Sequence, residues 1–339
     1  MARVFSGIQP SGDLHLGNYL GALRHFVEDQ HRHQCLFCVV DLHALTVPQE
    51  PGTLAGRTLD AVLMHLAVGL DPAACTLFVQ SHVSEHAELA WLMACTASVG
   101  ELRRMTQFKE KSESQELVSA GLFAYPTLMA ADILLYDTDR VPVGDDQRQH
   151  LELARDLAVR FNHRFGTTFV VPEAAIPGLG ARIMDLQRPT QKMSKSSESP
   201  QGTIRLLDDP ATVERKIRRA VTDPGTEVRY DPEAKPGVSN LLAILAATTG
   251  ADPLSVAARY DRYGPLKADC ARAVVELLGP VQARYAELAA DPAAVAQVLA
   301  GGAERARSVA GPTLARAWDA VGVLPRGRPG AADGRGGRG

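Results

Sequence analysis

Apolar positions in the first half of this chain fall into two alternating kinds. RVFSGI (3–8), CLFCVVDLHAL (35–45), TLFVQSHV (76–83) and DRVPVG (139–144) are short, β-branched or aromatic runs that predict strands. Between them apolar residues recur at helical spacing, first at Leu20, Leu23 and Val27 and then at Leu54, Leu59, Leu63, Leu66 and Leu70. DDQRQHLELARDLAVRFNHRFG (145–166) predicts a long helix, with Asp145 and Asp146 near the end where the helix dipole favours negative charge. Strands alternating with helices imply a parallel sheet covered on both faces, and ligands of such sheets bind beyond the strand C-termini. After about residue 200 the strand pattern fades. Four helices are expected there, in ATVERKIRRAVTD (211–223), SNLLAILAATTG (239–250), KADCARAVVELLGPVQARYAELAA (267–290) and PAAVAQVLAGGAERARSVAGPTLARAWDAV (292–321). The fold class expected is therefore α/β, a Rossmann-type parallel sheet followed by a smaller all-helical domain. From Leu324 the chain is Gly, Arg and Pro with almost nothing to bury, which predicts disorder.

At 339 residues the chain exceeds one typical core, in keeping with two domains. Composition is that of a soluble globular protein, 45% hydrophobic and 22% charged, and no apolar run approaches the ~20 residues of a membrane span. The N-terminus enters strand-like sequence directly, without a signal-peptide pattern, and five cysteines are too few and too odd for a disulfide scaffold. Both features predict a cytoplasmic location. Cys35 and Cys38 form a CxxC inside an apolar run with no second pair at zinc-site spacing, so buried strand cysteines are expected. Net charge is −3, which does not announce a polyanion partner, although ERKIRR (214–219) and the C-terminal tail are locally basic.

Two stretches fit neither period. PTQKMSKSSESP (189–200) has one apolar residue, Met193, and five Ser or Thr between two prolines, which predicts a mobile loop packed against nothing. Lys192 and Lys195 lie three apart in it, an arrangement that suits a strongly anionic ligand such as a polyphosphate. The other stretch, QPSGDLHLGNYLG (9–21), is a small-residue turn from the first strand into a helix. Gly17 leaves backbone open to a close ligand, the helix amides face phosphate, and His15 can donate to a phosphate oxygen.

Together the two stretches are specific. HLGN (15–18) and KMSKS (192–196), 177 residues apart, resemble the HIGH and KMSKS signatures of the class I aminoacyl-tRNA synthetases. FSGIQPSG (5–12), GNYLGALR (17–24), RMTQFKEKS (104–112), YPTLMAADILLY (125–136), VPVGDDQRQH (141–150) and GARIMDLQRPTQKMSKS (180–196) are similar to the bacterial tryptophanyl-tRNA synthetases, over residues 3–322. The resemblance implies a cytoplasmic homodimer that activates L-tryptophan with Mg-ATP, as tryptophanyl-adenylate, and transfers it to tRNA(Trp). It implies a Rossmann catalytic domain over 1–188, a KMSKS hinge loop over 189–201, a helical anticodon-binding domain over 202–322 and a tail over 323–339. Lys111, Lys192, Lys195 and His15 would act on the phosphates. Gln9, Pro10, Ser11, Gly17, Asn18, Gly144, Asp145, Asp146, Ile183, Met193, Ser194 and Ser196 complete the ATP site. Phe5, Val40, His43, Met129, Val141 and Val143 would surround tryptophan, with Tyr125 and Gln147 near its ammonium and Asp132 accepting from the indole N–H. Asp132 is also conspicuous by itself, as a lone acid in the apolar run LMAADILL.

Two features depart from that pattern. His15 stands where many relatives carry threonine, and SESP (197–200) replaces a DPNP-like segment. Three rivals share part of the signal. A tyrosyl-tRNA synthetase carries both signatures, an HxGH adenylyltransferase lacks the KMSKS loop and helical domain, and a non-catalytic paralogue predicts lost lysines.

Overall fold

A computed structural model describes residues 1–10, 14–113, 118–144, 147–175, 182–194 and 199–324, with the side chains of 111–113 excepted. Ser11, Asp145, Asp146, Lys195, Ser196, the Lys111 side chain and the tail beyond Leu324 thus lie outside the described residues.

Five strands, β1 (Arg3–Ile8), β2 (Gln34–Val39), β3 (Thr76–Val79), β4 (Arg140–Pro142) and β5 (Glu173–Ala175), form one sheet in the order β3-β2-β1-β4-β5. Every pairing is parallel. Residues alternate between the two faces, as a period of two requires. Phe5, Leu36, Cys38 and Phe78 enter one core with helices Glu85–Thr96, Ala120–Leu134 and Arg148–Phe165, while Val4, Ile8, Cys35, Phe37, Val39, Leu77 and Val79 pack on helix Thr53–Ala67. Cys35 and Cys38 are buried free thiols, as expected. The chain passes from β1 to β2 and β3 on one side and crosses to β4 and β5 on the other. The C-terminal ends of β1 and β4 therefore flank the crevice where such sheets bind ligands.

Two predicted strands overrun. β2 stops at Val39 because Val40 leaves the extended region (ψ 71°) and Asp41–Ala44 is helical. β3 stops at Val79, followed by a 3-10 turn over Gln80–His82. Leu59, counted in the apolar stripe of its helix, is 40% exposed. β5, with the sequence Glu-Ala-Ala, carries no strand signal and is set only by its pairing with β4.

Helices Pro210–Arg218, Pro236–Thr249, Pro253–Ala257 and Tyr263–Ala290 share a second core with Leu16, Leu20 and Leu23 of the first helix and with Ile183, Leu186 and Met193. Two expectations change here. The segment 189–200 does not pack against nothing, since Met193 is 1% exposed and its N–H donates to Ile183 O at 3.1 Å. Nor do residues 202–322 form one helical unit. Helix Pro292–Val321 returns to the sheet, where it straddles the open edge of β3, with Val295 in one core and Ala303, Ala306 and Ala310 in the other. Gly302 permits the approach, because a Cβ there would lie 1.8 Å from the Leu77 carbonyl oxygen. Covering an edge strand also removes a template for unwanted pairing.

Candidate active site

At the C-terminal ends of β1 and β4 opens a cavity of about 530 Å³. Phe5, Val40, His43, Tyr125, Met129, Asp132, Val141, Val143 and Gln147 all line it, so the whole expected amino-acid set meets in one place. Sequence reading missed Ser6, Gln107 and Glu110, which line it too. The Ser6 hydroxyl is buried and has no hydrogen-bond partner among the described residues. The Tyr125 hydroxyl is hydrogen-bonded to His150 Nε2 at 2.7 Å, and burial, with Glu110 nearby, pushes its phenol up to about 12. It is therefore a neutral hydroxyl at any working pH.

Asp132, in the cavity wall, is only 2% exposed. Its Oδ1 accepts from Gln80 Nε2 (2.7 Å) and is bonded to His86 Nδ1 (2.6 Å), while Oδ2 is bonded to His43 Nε2 (2.7 Å). Burial opposes ionisation, but the nearby His43 and the hydrogen bonds from both histidines outweigh it and hold the carboxyl well below the usual range. A carboxylate only accepts, so each of these nitrogens carries its proton. Behind Asp132, His86 Nε2 meets the Tyr136 hydroxyl at 2.7 Å, and burial keeps that phenol protonated. Nothing in the sequence around Gln80, His86 and Tyr136 marks this network. All three read as ordinary members of their runs and become partners only through tertiary packing.

The elements expected to face phosphate lie beside this cavity. Gln9 lines it directly. Pro10 is buried, and His15, 3% exposed, caps the first helix: Asn18 N–H donates to His15 Nδ1 (3.3 Å), and Asn18 Oδ1 accepts from His15 N–H (3.1 Å). An accepting Nδ1 leaves the proton on Nε2, the nitrogen that can donate. The helix passes through a π-helical turn, Tyr19–Leu23, a feature common at functional sites. A Cβ on Gly17 would lie 3.1 Å from His15 Nδ1 and 3.5 Å from Met193 Cβ, so the two signature stretches are neighbours. Two backbone bonds tie the first stretch to residues 204–206, Leu16 N–H to Ile204 O (2.9 Å) and Leu206 N–H to Leu14 O (3.0 Å).

Lys192 forms an antiparallel bridge with Met184, and its side chain is exposed. Ile183 is buried and Ser194 accepts from the Thr203 hydroxyl at 2.9 Å. Asn240 clamps this extended pair, accepting from Met184 N–H (2.8 Å) and donating to Met184 O (2.9 Å). Gly144 is exposed at the end of β4, and its carbonyl accepts from Gln147 N–H at 3.0 Å. In ERKIRR, Lys216 is buried and donates to Asp208 (2.6 Å) and Thr203 O (2.8 Å), so one of the four positive charges is structural rather than a surface contact. Among the described residues no group of three or more His, Cys, Asp or Glu is placed to hold a metal ion, and no helix is long and apolar enough to cross a membrane.

Comparison with known proteins gives a consistent result. The family model for class I tRNA synthetases (W and Y) matches residues 1–279. Tryptophan--tRNA ligase 1 of Streptomyces coelicolor is 55% identical over 330 residues, covering 96% of this chain and 98% of its own. Tryptophan--tRNA ligase of Caldanaerobacter subterraneus subsp. tengcongensis is 56% identical over 328 residues, covering 96% and 100%. Among solved structures, tryptophanyl-tRNA synthetase from Mycoplasma pneumoniae superposes with a TM-score of 0.86 at 40% identity, over 96% of this chain and 98% of that one. The Campylobacter jejuni enzyme, in complex with ADP and tryptophan, gives 0.83 at 35% identity, over 95% and 100%.

Proposed function

The chain belongs to the class I tRNA synthetases for tryptophan and tyrosine, on the bacterial tryptophan branch, and from that premise we propose how its residues carry out the reaction. The activity is ATP-dependent formation of tryptophanyl-adenylate and transfer of tryptophan to tRNA(Trp). The observation that carries the amino-acid choice is the buried, ionised Asp132 set among the apolar side chains of the cavity wall. An indole presents one N–H donor, and a fixed carboxylate is its complement. A phenol can also donate there, so apolar enclosure by Phe5, Val40, Met129, Val141 and Val143, fitted to two fused rings, completes the discrimination.

In the first step a tryptophan carboxylate oxygen attacks the α-phosphorus of ATP in line, and the bond to the bridging oxygen of pyrophosphate breaks. The nucleophile is already anionic, so no general base is required. Rate comes from positioning and from cations facing the departing pyrophosphate. Lys192 and His15 Nε2–H supply donors there, and Lys111 and Lys195 are assigned the same work. Gln9, Pro10, Ser11, Gly17, Asn18 and Ser194 follow the nucleotide path, with Ser196 in the same signature. Gly144 and Asp146 hold the ribose, with Asp145 between them in the ATP set, and the backbone at Ile183, with Met193, receives adenine. Tyr125 and Gln147 face the ammonium. Magnesium arrives with the triphosphate as part of the substrate. In the second step the terminal ribose hydroxyl of tRNA attacks the activated carbonyl and AMP leaves. We assign anticodon reading to the helices between 202 and 290, and we place the reaction in the cytoplasm.

A second copy of the chain is the occupant we propose for the exposed side chains Trp91 (67%), Val99 (58%) and Val159 (55%). Their helices are drawn together by Arg160, which donates to Thr96 O at 2.9 Å and pairs with Glu101. Sedimentation at micromolar concentration is expected to give a dimer, and a monomer refutes the assignment. ATP–pyrophosphate exchange with each of the twenty amino acids tests the function: exchange with tryptophan is expected, and exchange with none overturns it.

A further inference from the structure

Gln80 and His86 are both fully buried, and neither lines the cavity. They touch Asp132 from behind, and both bond the same oxygen, Oδ1. Each is itself fixed. The Gln80 amide oxygen accepts from Leu42 N–H at 3.2 Å, which turns its NH₂ toward Asp132. His86 Nε2 is hydrogen-bonded to Tyr136 (2.7 Å), whose ring is stacked on Phe5 (5.6 Å, 11°) and set edge-on to Phe78 (5.6 Å, 61°). The carboxylate oxygens are thereby made unequal. Oδ1 already takes two donors, whereas Oδ2 takes one, from the cavity-lining His43.

We propose that Gln80 and His86 are positioning residues for tryptophan selectivity: by filling Oδ1 they lock the Asp132 carboxylate with Oδ2 toward the indole N–H. The inference rests on the reading of the cavity as the tryptophan site. A carboxylate held by His43 alone could turn about its Cβ–Cγ bond and swap oxygens, and the acceptor would no longer be fixed where the indole donor arrives. Since Gln80 and His86 touch no substrate, their effect passes entirely through Asp132.

The test compares tryptophan with benzothienyl-alanine, its sulfur isostere, which has no N–H. In the full-length protein, Gln80→Met and His86→Phe are expected to lower the ratio of kcat/KM for tryptophan to kcat/KM for the isostere by about tenfold, the lower end of what a charged hydrogen bond contributes. His86→Asn, whose amide can replace the Nδ1–H donor, is expected to restore most of that ratio. A second readout needs no turnover. The indole N–H proton of bound ¹⁵N-tryptophan should resonate downfield in the wild type and move back toward its free position in Gln80→Met. Equal losses for both substrates in Gln80→Met, with an unmoved indole resonance, overturn the proposal, and this variant decides the matter even if His86→Phe fails to fold. Failure of the underlying reading is visible separately, as a wild type that does not activate tryptophan at all.

Discussion

Removing the carboxylate of Asp132 is expected to do more than weaken tryptophan binding. Three N–H groups, on Gln80, His86 and His43, meet it at 2.6–2.7 Å. His43 lines the cavity and can turn to water, but the other two are sealed from solvent. Each orphaned donor costs about 1–3 kcal/mol, so Asp132→Ala should lose roughly 2–6 kcal/mol before any cavity is counted. At ~2 °C per kcal/mol for a chain of this size, the melting temperature should fall by about 4–12 °C. Activity loss in that variant would therefore mix pocket damage with selectivity. Asp132→Asn separates the two. Its amide oxygen can occupy the Oδ1 place and keep both buried donors, which puts its NH₂ where Oδ2 was. His43 can change tautomer to accept from that NH₂; an indole N–H cannot. The variant should melt near the wild type and lose about 10–150-fold in kcat/KM for tryptophan, the range of a charged hydrogen bond, while benzothienyl-alanine changes by less than about threefold. Differential scanning fluorimetry and pyrophosphate exchange with the two substrates supply the measurements. An Asp132→Ala protein melting within a degree or so of the wild type would show that the carboxylate is not the hub described, and equal losses in Asp132→Asn would remove it from indole recognition.

Lys192→Ala should slow adenylate formation by about 10²–10³ and leave tryptophan affinity nearly unchanged, as for a charge that acts on the transition state; single-turnover rates against tryptophan fluorescence titration would separate these. Gly302→Ala places a methyl against the Leu77 carbonyl, and the overpacking should cost at least ~1–3 kcal/mol, seen as a lower melting temperature and faster amide exchange in helix Pro292–Val321; an unchanged melt would mean that the helix does not bear on β3. Glu101 is held down at about 2 from 4.5, chiefly by its hydrogen bond to Arg160. Its contribution to stability is present above pH ~4.5 and is lost as pH falls toward ~2, so Glu101→Gln should flatten the acid limb of the stability curve, and an identical limb would assign the loss to other carboxylates.

Much of the candidate site stands out in the sequence because its residues are chemically out of place. Asp132 is an acid in an apolar helix, and the lysines of KMSKS sit in a stretch without period. What could not be read depends on partners distant in sequence. Gln80 and His86 lie 52 and 46 residues from Asp132, and no local pattern announces that they converge. β5 is a strand only because β4 pairs with it. The same limit explains the last helix. Its small residues Gly302, Ala303, Ala306 and Ala310 read equally well as a bundle face or as a face pressed on a sheet edge, and only the contact with Leu77 distinguishes them.

Met193 shows how these levels join at the candidate nucleotide site. One apolar residue among eleven that are not gives no period, so the sequence predicts a free loop. In the structure the backbone at Met184 and Lys192 is extended and paired, and extended residues alternate in direction. Met193 therefore turns into the helical core while the Lys192 side chain stays in water. Asn240, from helix Pro236–Thr249, holds the paired strand at Met184. Lys192 is thus fixed to the helical unit rather than to the sheet, whereas Gln9 and Gly144 stand at the ends of β1 and β4. His15 and Gly17 lie between, bonded through Leu16 to Ile204. A triphosphate held by all of these would bridge two cores, and any change in their separation would move Lys192 relative to the bound tryptophan. Through the buried Met193, a movement of the helical unit would carry Lys192 with it, as it would not carry an untethered loop.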